Sequence, residues 1–136
     1  MTKNTTSKKE TTTVFPLTFL NDDSEKTMVE LGSKSLEYRK EDFINFMNET
    51  ASEDVGEFSD YGLSIDSIFN EETEETEYVR FQLSWGGPSD ELRYHPDGKI
   101  EYVFLDWFAG VGFDVTGEDW AQWSKDCIMD YCLSDA

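Results

Sequence analysis

Hydrophobic side chains recur with a helical period in two parts of the chain. In residues 40–53 the apolar positions fall at i, i+3, i+4 and i+8, and they are Phe43, Phe46, Met47 and Ala51. This spacing predicts an amphipathic helix. A second helix is predicted to begin at Glu118, and its apolar stripe consists of Trp120, Trp123, Cys127 and Tyr131. The early acids Glu118 and Asp119 suit the positive end of that helix's dipole.

Between the helices the pattern changes to the alternation that is typical of strands. Residues 78–85 place Val79, Phe81, Leu83 and Trp85 on one face, which predicts a half-buried strand. The turn Pro96-Asp97-Gly98 joins residues 91–95 to residues 99–107 and predicts a hairpin. Because residues 99–107 are apolar on both faces, we expect them to form the central strand.

The remaining segments complete the predicted topology. Residues 63–69 are a candidate first strand, and the glycine-containing residues 109–117 are expected to form a loop. The order predicts an α+β fold, with an antiparallel three- or four-stranded β-meander flanked by an N-terminal and a C-terminal amphipathic helix. Residues 1–13 contain six threonines and predict a flexible tail, whereas residues 14–136 form one domain that opens with an edge strand or arm at residues 14–20.

The net negative charge of the chain indicates that this fold has a specialised, acidic surface. The chain of 136 residues has a formal net charge of -19. Residues 1–40 hold seven Lys/Arg and six Asp/Glu, whereas residues 41–136 hold four Lys/Arg and 24 Asp/Glu. Twenty aromatic residues argue against general disorder, so the acidity belongs to a folded surface. Such a surface repels itself and favours a positively charged partner.

Two features of the chain bear on its compartment. No apolar run approaches the roughly 18 residues that a membrane span needs, and the N-terminus lacks a secretory pattern. Cys127 and Cys132 are five residues apart on one predicted helix, where their side chains point in different directions. We therefore expect free thiols and a cytoplasmic protein without membrane contact.

Few residues of this chain suit catalysis. The one histidine, His95, precedes a turn, where a solvated side chain is expected, and the cysteines lie among apolar residues. Four carboxylates surround the aromatic centre of the sequence, and they are Asp90, Glu91, Asp106 and Asp114. In so acidic a chain some pairs arise by chance, and no metal-binding motif occurs. We expect no enzyme activity, no cofactor and no metal.

The acids form ordered sets that suggest partner binding. On the predicted helices one row comprises Asp42, Glu49 and Glu53, and a second row with the same spacing comprises Asp119, Asp126 and Asp130. At a rise of about 1.5 Å per residue the steps are roughly 10 and 6 Å, and the shorter step is close to the spacing of phosphates along a nucleic-acid strand. A denser patch comprises Glu71, Glu72, Glu74, Glu75 and Glu77. The strand-end Trp107 is the aromatic residue expected to anchor a partner.

A resemblance to known proteins adds a target. Residues 81–110, FQLSWGGPSDELRYHPDGKIEYVFLDWFAG, are similar to a module of small proteins that bacterial plasmids and phages carry beside anti-defence genes, and they span about a quarter of the chain. With its acidity, the chain resembles the anti-CRISPR and antirestriction proteins, several of which imitate nucleic acid. The resemblance implies a stoichiometric inhibitor whose carboxylates occupy the basic nucleic-acid-binding groove of a Cas nuclease or a restriction enzyme in the bacterial host cell.

Two other functions remain open at this point. The chain could be an acidic interaction or immunity module for another basic protein, which uses the same electrostatics. It could also be a small metal-dependent enzyme, in which one or two acids would carry the activity. Direct nucleic-acid binding is disfavoured because residues 41–136 hold only four Lys/Arg to neutralise phosphates. Either a monomer or a dimer is compatible with the sequence.

Overall fold

An antiparallel sheet lies at the centre of the fold. The computed structural model describes residues 12–15, 22–86, 88–106 and 109–135. The strands are β1 (Thr12–Phe15), β2 (Ser64–Asn70), β3 (Glu75–Ser84), β4 (Ser89–Tyr94), β5 (Ile100–Asp106) and β6 (Ala109–Asp114). Strands β2 to β6 form a five-stranded meander, and β1 pairs with β6, so the spatial order is β1-β6-β5-β4-β3-β2.

Two helices cover one face of this sheet. They are α1 (Asp22–Met47) and α2 (Asp119–Asp135), and a short 3-10 helix (Phe58–Asp60) lies between α1 and β2. The core contains Met28 and Phe43 from α1 together with Trp120 and Ile128 from α2. They pack against strand residues that share one face, including Leu92 and Tyr94 of β4, Ile100 and Tyr102 of β5 and Val111 of β6. The α+β class and the terminal placement of the helices are confirmed.

The prediction that residues 99–107 form a central strand is confirmed, because β5 lies inside the sheet between β4 and β6. In β5 the first five residues are all buried, and Ile100, Tyr102 and Val103 have no measurable exposure. The hairpin turn is also confirmed, because Gly98 donates its N–H to the carbonyl of His95 at 3.0 Å. Gly98 has a φ of 99°, a conformation that side-chain-bearing residues rarely adopt.

Helix α1 differs from its prediction at both ends. It begins at Asp22 rather than near residue 40, and it ends at Met47 rather than near residue 53. The residues of α1 that face the interior are Met28, Gly32, Ser35, Arg39, Phe43 and Phe46, of which Phe46 packs on Phe58 and Tyr61. The spacing is helical, but glycine, serine and arginine occupy core-facing positions. A hydrophobic pattern therefore detects only the C-terminal part of the helix.

The expected loop at residues 109–117 is wrong, because its first part forms β6. Val111 and Phe113 point into the core, whereas Gly110 and Gly112 are paired with Leu105 and Val103 of β5. Glycine is depleted in strands, so these two residues gave the sequence the appearance of a loop. The meander consequently has five strands instead of three or four.

Several smaller expectations also need correction. Trp85 lies beyond the end of β3 and is 60% exposed, so it does not belong to the core face of that strand. Strand β1 takes two residues from the predicted tail and two from the predicted arm, while residues 1–11 and 16–20 lie outside the described residues. Within the described part of the chain, neither helix is long and apolar enough to cross a membrane.

Candidate partner-binding surface

The connection between β2 and β3, together with the start of β3, carries the densest acidic surface. The five glutamates of this segment, Glu71, Glu72, Glu74, Glu75 and Glu77, are all exposed, and we call them the glutamate hairpin. The side chain of Asn70 organises the turn, since its Oδ1 accepts the backbone N–H groups of Glu72 at 2.9 Å and Thr73 at 3.2 Å. Glu74 has a φ of 59°, and its N–H donates to the carbonyl of Asn70 at 2.8 Å. The turn is thus fixed by backbone hydrogen bonds and by the Asn70 side chain, whose Nδ2 also donates to Oε1 of Glu77 at 3.2 Å. All five glutamate side chains remain exposed to solvent.

No nearby cation compensates this hairpin within the described residues. None of its carboxylates forms an ion pair with a described lysine or arginine. The sequence contains no lysine, arginine or histidine from residue 41 to residue 79, while that stretch contains 13 acids. Like charges at this density raise each other's energy, and a cation from outside the molecule would lower it.

The row predicted on the second helix is present on one face of α2. Asp119, Asp126 and Asp130 are all exposed. The buried residues of the same helix are Trp120, Ala121, Ser124 and Ile128. At about 100° per residue, the three aspartates lie opposite that buried face, and they are separated by about 10 and 6 Å along the axis. We call this set the α2 acidic row.

The row predicted on the first helix does not exist. Glu49 and Glu53 follow the end of α1 at Met47, and Glu49 has a φ of 59°, the left-handed conformation that commonly ends a helix. Asp42 does lie on α1, but it is half-buried and its Oδ2 accepts a hydrogen bond from the Tyr61 hydroxyl at 2.5 Å. Glu49 and Glu53 are exposed, yet these three acids form no continuous helical row.

Sheet topology gathers several acids at one end of the molecule. The β2–β3 and β4–β5 connections lie at the same end of the meander, as does the end of β6, from which the chain enters α2. This end therefore carries the glutamate hairpin, the exposed Asp97 and Asp119. Four strand spacings separate β2 from β6, which corresponds to about 19 Å across the sheet.

Most cations of the folded part are held in pairs within the molecule. The nitrogen-to-oxygen distances are 2.7 Å for Arg39–Asp90, 3.0 Å for Lys40–Glu118, 3.2 Å for Arg80–Asp66, 2.7 Å for Arg93–Glu91 and 3.6 Å for Lys99–Glu101. The acids of these pairs lie in the sheet, apart from Glu118, which immediately precedes α2. These pairs leave the glutamate hairpin without a counter-charge among the described ion pairs.

One of these pairs belongs to a buried network that joins α1 to the sheet. Asp90 accepts hydrogen bonds from Nε of Arg39 at 2.7 Å, from Nη2 of Arg39 at 3.1 Å and from the Tyr102 hydroxyl at 2.7 Å. Its Oδ1 also accepts the Ser84 hydroxyl at 2.5 Å. Arg39 in turn donates from Nη1 to the Tyr61 hydroxyl at 2.9 Å.

The pKa directions in this network follow from burial and charge. Burial raises the pKa of Tyr102, and the negative charge of Asp90 raises it further. Burial likewise raises the pKa of Tyr61, assisted by the hydrogen bond to Asp42. Burial alone lowers the pKa of Arg39, but its hydrogen bonds and charge contact with Asp90 outweigh that effect and raise it. Both phenols therefore stay protonated and the guanidinium stays charged at neutral pH.

The contacts of this network indicate a structural role. The four hydrogen bonds to Asp90 occupy the acceptor sites of a carboxylate, so none remains for a substrate or a metal. The neighbouring Glu91 points to the other face of the sheet and pairs with Arg93. Among the described residues, no group of three or more His, Cys, Asp or Glu side chains is arranged to hold a metal ion.

The remaining candidate residues have different outcomes. His95 is not simply solvated, because its Nε2 lies 2.7 Å from Oε1 of Glu101 and its ring packs against Tyr78 with centroids 5.5 Å apart. Cys127 is a free, half-buried thiol, and burial raises its pKa, with a further contribution from Asp130 and Asp126. Trp107 and the side chain of Cys132 lie outside the described residues.

Sequence reasoning missed most of a second exposed acidic segment before β2. It named Glu53 but not Asp54, Glu57 or Asp60; all four are exposed, and Asp60 is the last residue of the short 3-10 helix. Their spacing matches no helix or strand period, so a search for periodic rows passes over them. The signal that does reveal them is the absence of any basic residue between positions 41 and 79.

Comparisons of the chain with protein-family models, with curated proteins and with solved structures give no match.

Proposed function

We propose that this chain is a stoichiometric inhibitor of a bacterial defence nuclease, with a CRISPR-Cas effector as the first target and a restriction enzyme as the second. Its acidic surface occupies the basic groove in which the nuclease holds DNA or guide RNA. The observation that carries the proposal is the glutamate hairpin, in which five exposed carboxylates have no cationic partner among the described residues.

The fold supports this proposal by presenting acids on a rigid frame. The hairpin turn is fixed by Asn70, and the α2 acidic row is fixed by a helix that packs into the core through Trp120 and Ile128. A preformed charged surface binds with a smaller entropy cost than a disordered acidic tail. The internal pairing of Arg39, Arg80 and Arg93 also keeps cations from weakening that surface.

A cleavage assay tests the proposal directly. Purified CRISPR effectors and restriction enzymes are each titrated with the protein and then given DNA, at ionic strengths from about 0.05 to 0.5 M. We expect one class of nuclease to lose activity at a ratio near one to one. Inhibition should weaken steeply with salt, because screening shortens the range of the attraction to a few ångströms. Inhibition that persists unchanged near molar salt would rule out charge mimicry, and no inhibition of either class would reject the proposal.

A pair of matched variants locates the interface. One variant carries Glu71→Gln, Glu72→Gln and Glu74→Gln in the glutamate hairpin. Its control carries Glu30→Gln, Glu37→Gln and Glu41→Gln, three exposed acids on α1. Both variants lose three negative charges, so a general effect of net charge would weaken them equally. We expect the concentration for half inhibition to rise about tenfold in the hairpin variant, because charges at an interface speed association with an oppositely charged partner. The control variant should inhibit at nearly the same concentration as the unmodified protein.

A further inference from the structure

Strand β2 is an edge of the sheet. It is the last strand in the spatial order, and among the described residues only β3 pairs with it. Alternate N–H and C=O groups of an edge strand point away from the sheet and can pair with another chain. The seven residues of β2 offer such groups over about 23 Å.

This edge has few of the features that usually block strand addition. Its sequence, SIDSIFN, contains neither proline nor lysine. Its one charged side chain, Asp66, is held by Arg80 of the neighbouring strand at 3.2 Å. A register shift between Ile68 and Phe69 is confined to the hairpin end. The part from Ser64 to Ile68 is therefore regular and available for pairing.

Exposed apolar side chains lie at both ends of β2. Leu63, immediately before the strand, is 52% exposed, and Phe69, near its end, is 55% exposed. Strand addition combines backbone hydrogen bonds with side-chain contacts, and apolar residues supply those contacts. The edge thus offers both components of this binding mode.

Charge selects the kind of segment that this edge accepts. One end of β2 leads into the glutamate hairpin, and the other follows the acidic segment of Glu53, Asp54, Glu57 and Asp60. Together they contribute nine exposed acids and no basic residue. A strand that carries lysine or arginine is attracted at both ends, whereas an acidic strand is repelled. A second copy of this chain would bring the same acids and is disfavoured for that reason.

We propose that the outer edge of β2 binds an extended, lysine- or arginine-bearing segment of a partner protein as an added strand. The inference rests on the proposed function in taking the partner to be a basic protein, and it names how that protein docks. Backbone pairing along β2 fixes the register, and the acids at its two ends provide the charge contacts.

The test uses the whole chain, labelled with nitrogen-15, and two synthetic peptides. The probe is a capped heptapeptide of alternating lysine and valine. Its control has the same sequence but carries N-methyl groups on the central lysine and the adjacent valine, which prevents pairing along either peptide edge and leaves the charge unchanged. Amide shifts and amide exchange of residues 63–70 are followed by nuclear magnetic resonance during the titration.

We expect the probe to shift and protect the amides of β2, and N-methylation to weaken its binding at least tenfold. Equal affinity for both peptides, or shifts confined to residues 71–77, would show plain charge attraction and overturn the inference. Absence of binding by the probe at low salt would do the same. A free chain that sediments as a dimer with protected β2 amides would also overturn it, because a second copy would then occupy the edge.

A side-chain variant adds an independent check. Replacing Leu63→Ser and Phe69→Ser together should weaken binding of the probe about tenfold, while Tyr38→Ser, which changes a 68% exposed side chain on α1, should leave it unaltered. Circular dichroism establishes that each variant is folded. Nuclease inhibition without probe binding would reject strand addition and keep the proposed function. Probe binding without nuclease inhibition would reject the proposed function and keep the β2 site.

Discussion

The buried pair of Arg39 and Asp90 gives the sharpest prediction about stability. Replacing Asp90→Asn keeps the shape of the side chain but turns one carboxylate oxygen into an amide nitrogen that accepts no hydrogen bond. Each oxygen of Asp90 receives one Arg39 nitrogen and one hydroxyl. The hydroxyl can turn and accept from the amide, but the guanidinium only donates, so either orientation of the amide loses one hydrogen bond from Arg39 and the counter-charge of the guanidinium. The side chain of Asp90 is 3% exposed and that of Arg39 is 17% exposed, so water cannot replace them fully.

Removal of one partner from a buried ion pair costs about 3 to 5 kcal/mol, because a charge is left without its counter-charge. For a chain of this size the loss corresponds to a fall in Tm of roughly 10 to 20 °C. The assay is urea unfolding at pH 7, followed by circular dichroism. Asp54→Asn serves as the control, since it makes the same chemical change at an exposed position.

A double variant separates the ion pair from simple loss of packing. Arg39→Met and Asp90→Leu should each destabilise the fold, but together they should cost at least about 2 kcal/mol less than the sum of the single changes, because neither charge remains buried and unpaired. The reasoning would be refuted if Asp90→Asn lowered the free energy of unfolding by no more than about 1 kcal/mol beyond the change caused by Asp54→Asn, given the magnitude expected for a buried pair. Strict additivity in the double variant would refute it as well.

Two further predictions concern packing and pH. Gly62→Ala should destabilise the fold by about 1 to 3 kcal/mol, since its Cβ would lie 2.0 Å from Cε1 of Phe81, whereas Gly117→Ala, which meets no atom within 4 Å, should be neutral in the same urea assay. Burial raises the pKa of Tyr94, so the folded state keeps a proton that the unfolded phenol loses near pH 10. The free energy of unfolding should therefore be constant with respect to this group below about pH 10 and should fall above it. The Tyr94→Phe variant should show a fall that is shallower by about 1.4 kcal/mol per pH unit. Parallel pH profiles of the two proteins would contradict this prediction.

Local patterns of the sequence were sufficient to predict much of the sheet and the second helix. Strand β3 was predicted from alternating apolar side chains. Strands β4 and β5 were predicted from the turn at Pro96-Asp97-Gly98 between them, in which Gly98 adopts a positive φ. The α2 acidic row was predicted because the helical period is a property of neighbouring residues alone. The glutamate hairpin was found for the same reason, since a turn between two strands leaves its side chains in solvent.

Only the tertiary structure decided the length of α1, the existence of β6 and the role of Asp90. Ser35 and Arg39 face the core because Tyr102 and Asp90, far away in the sequence, supply hydrogen-bonding partners. Gly110 is in a strand because β5 pairs with it on one side and β1 on the other. These interactions join residues that no local period connects, so a polar or flexible residue became part of the interior. The sequence by itself determined which residues are acidic; the fold decided which of these acids pair with cations within the molecule and which face solvent.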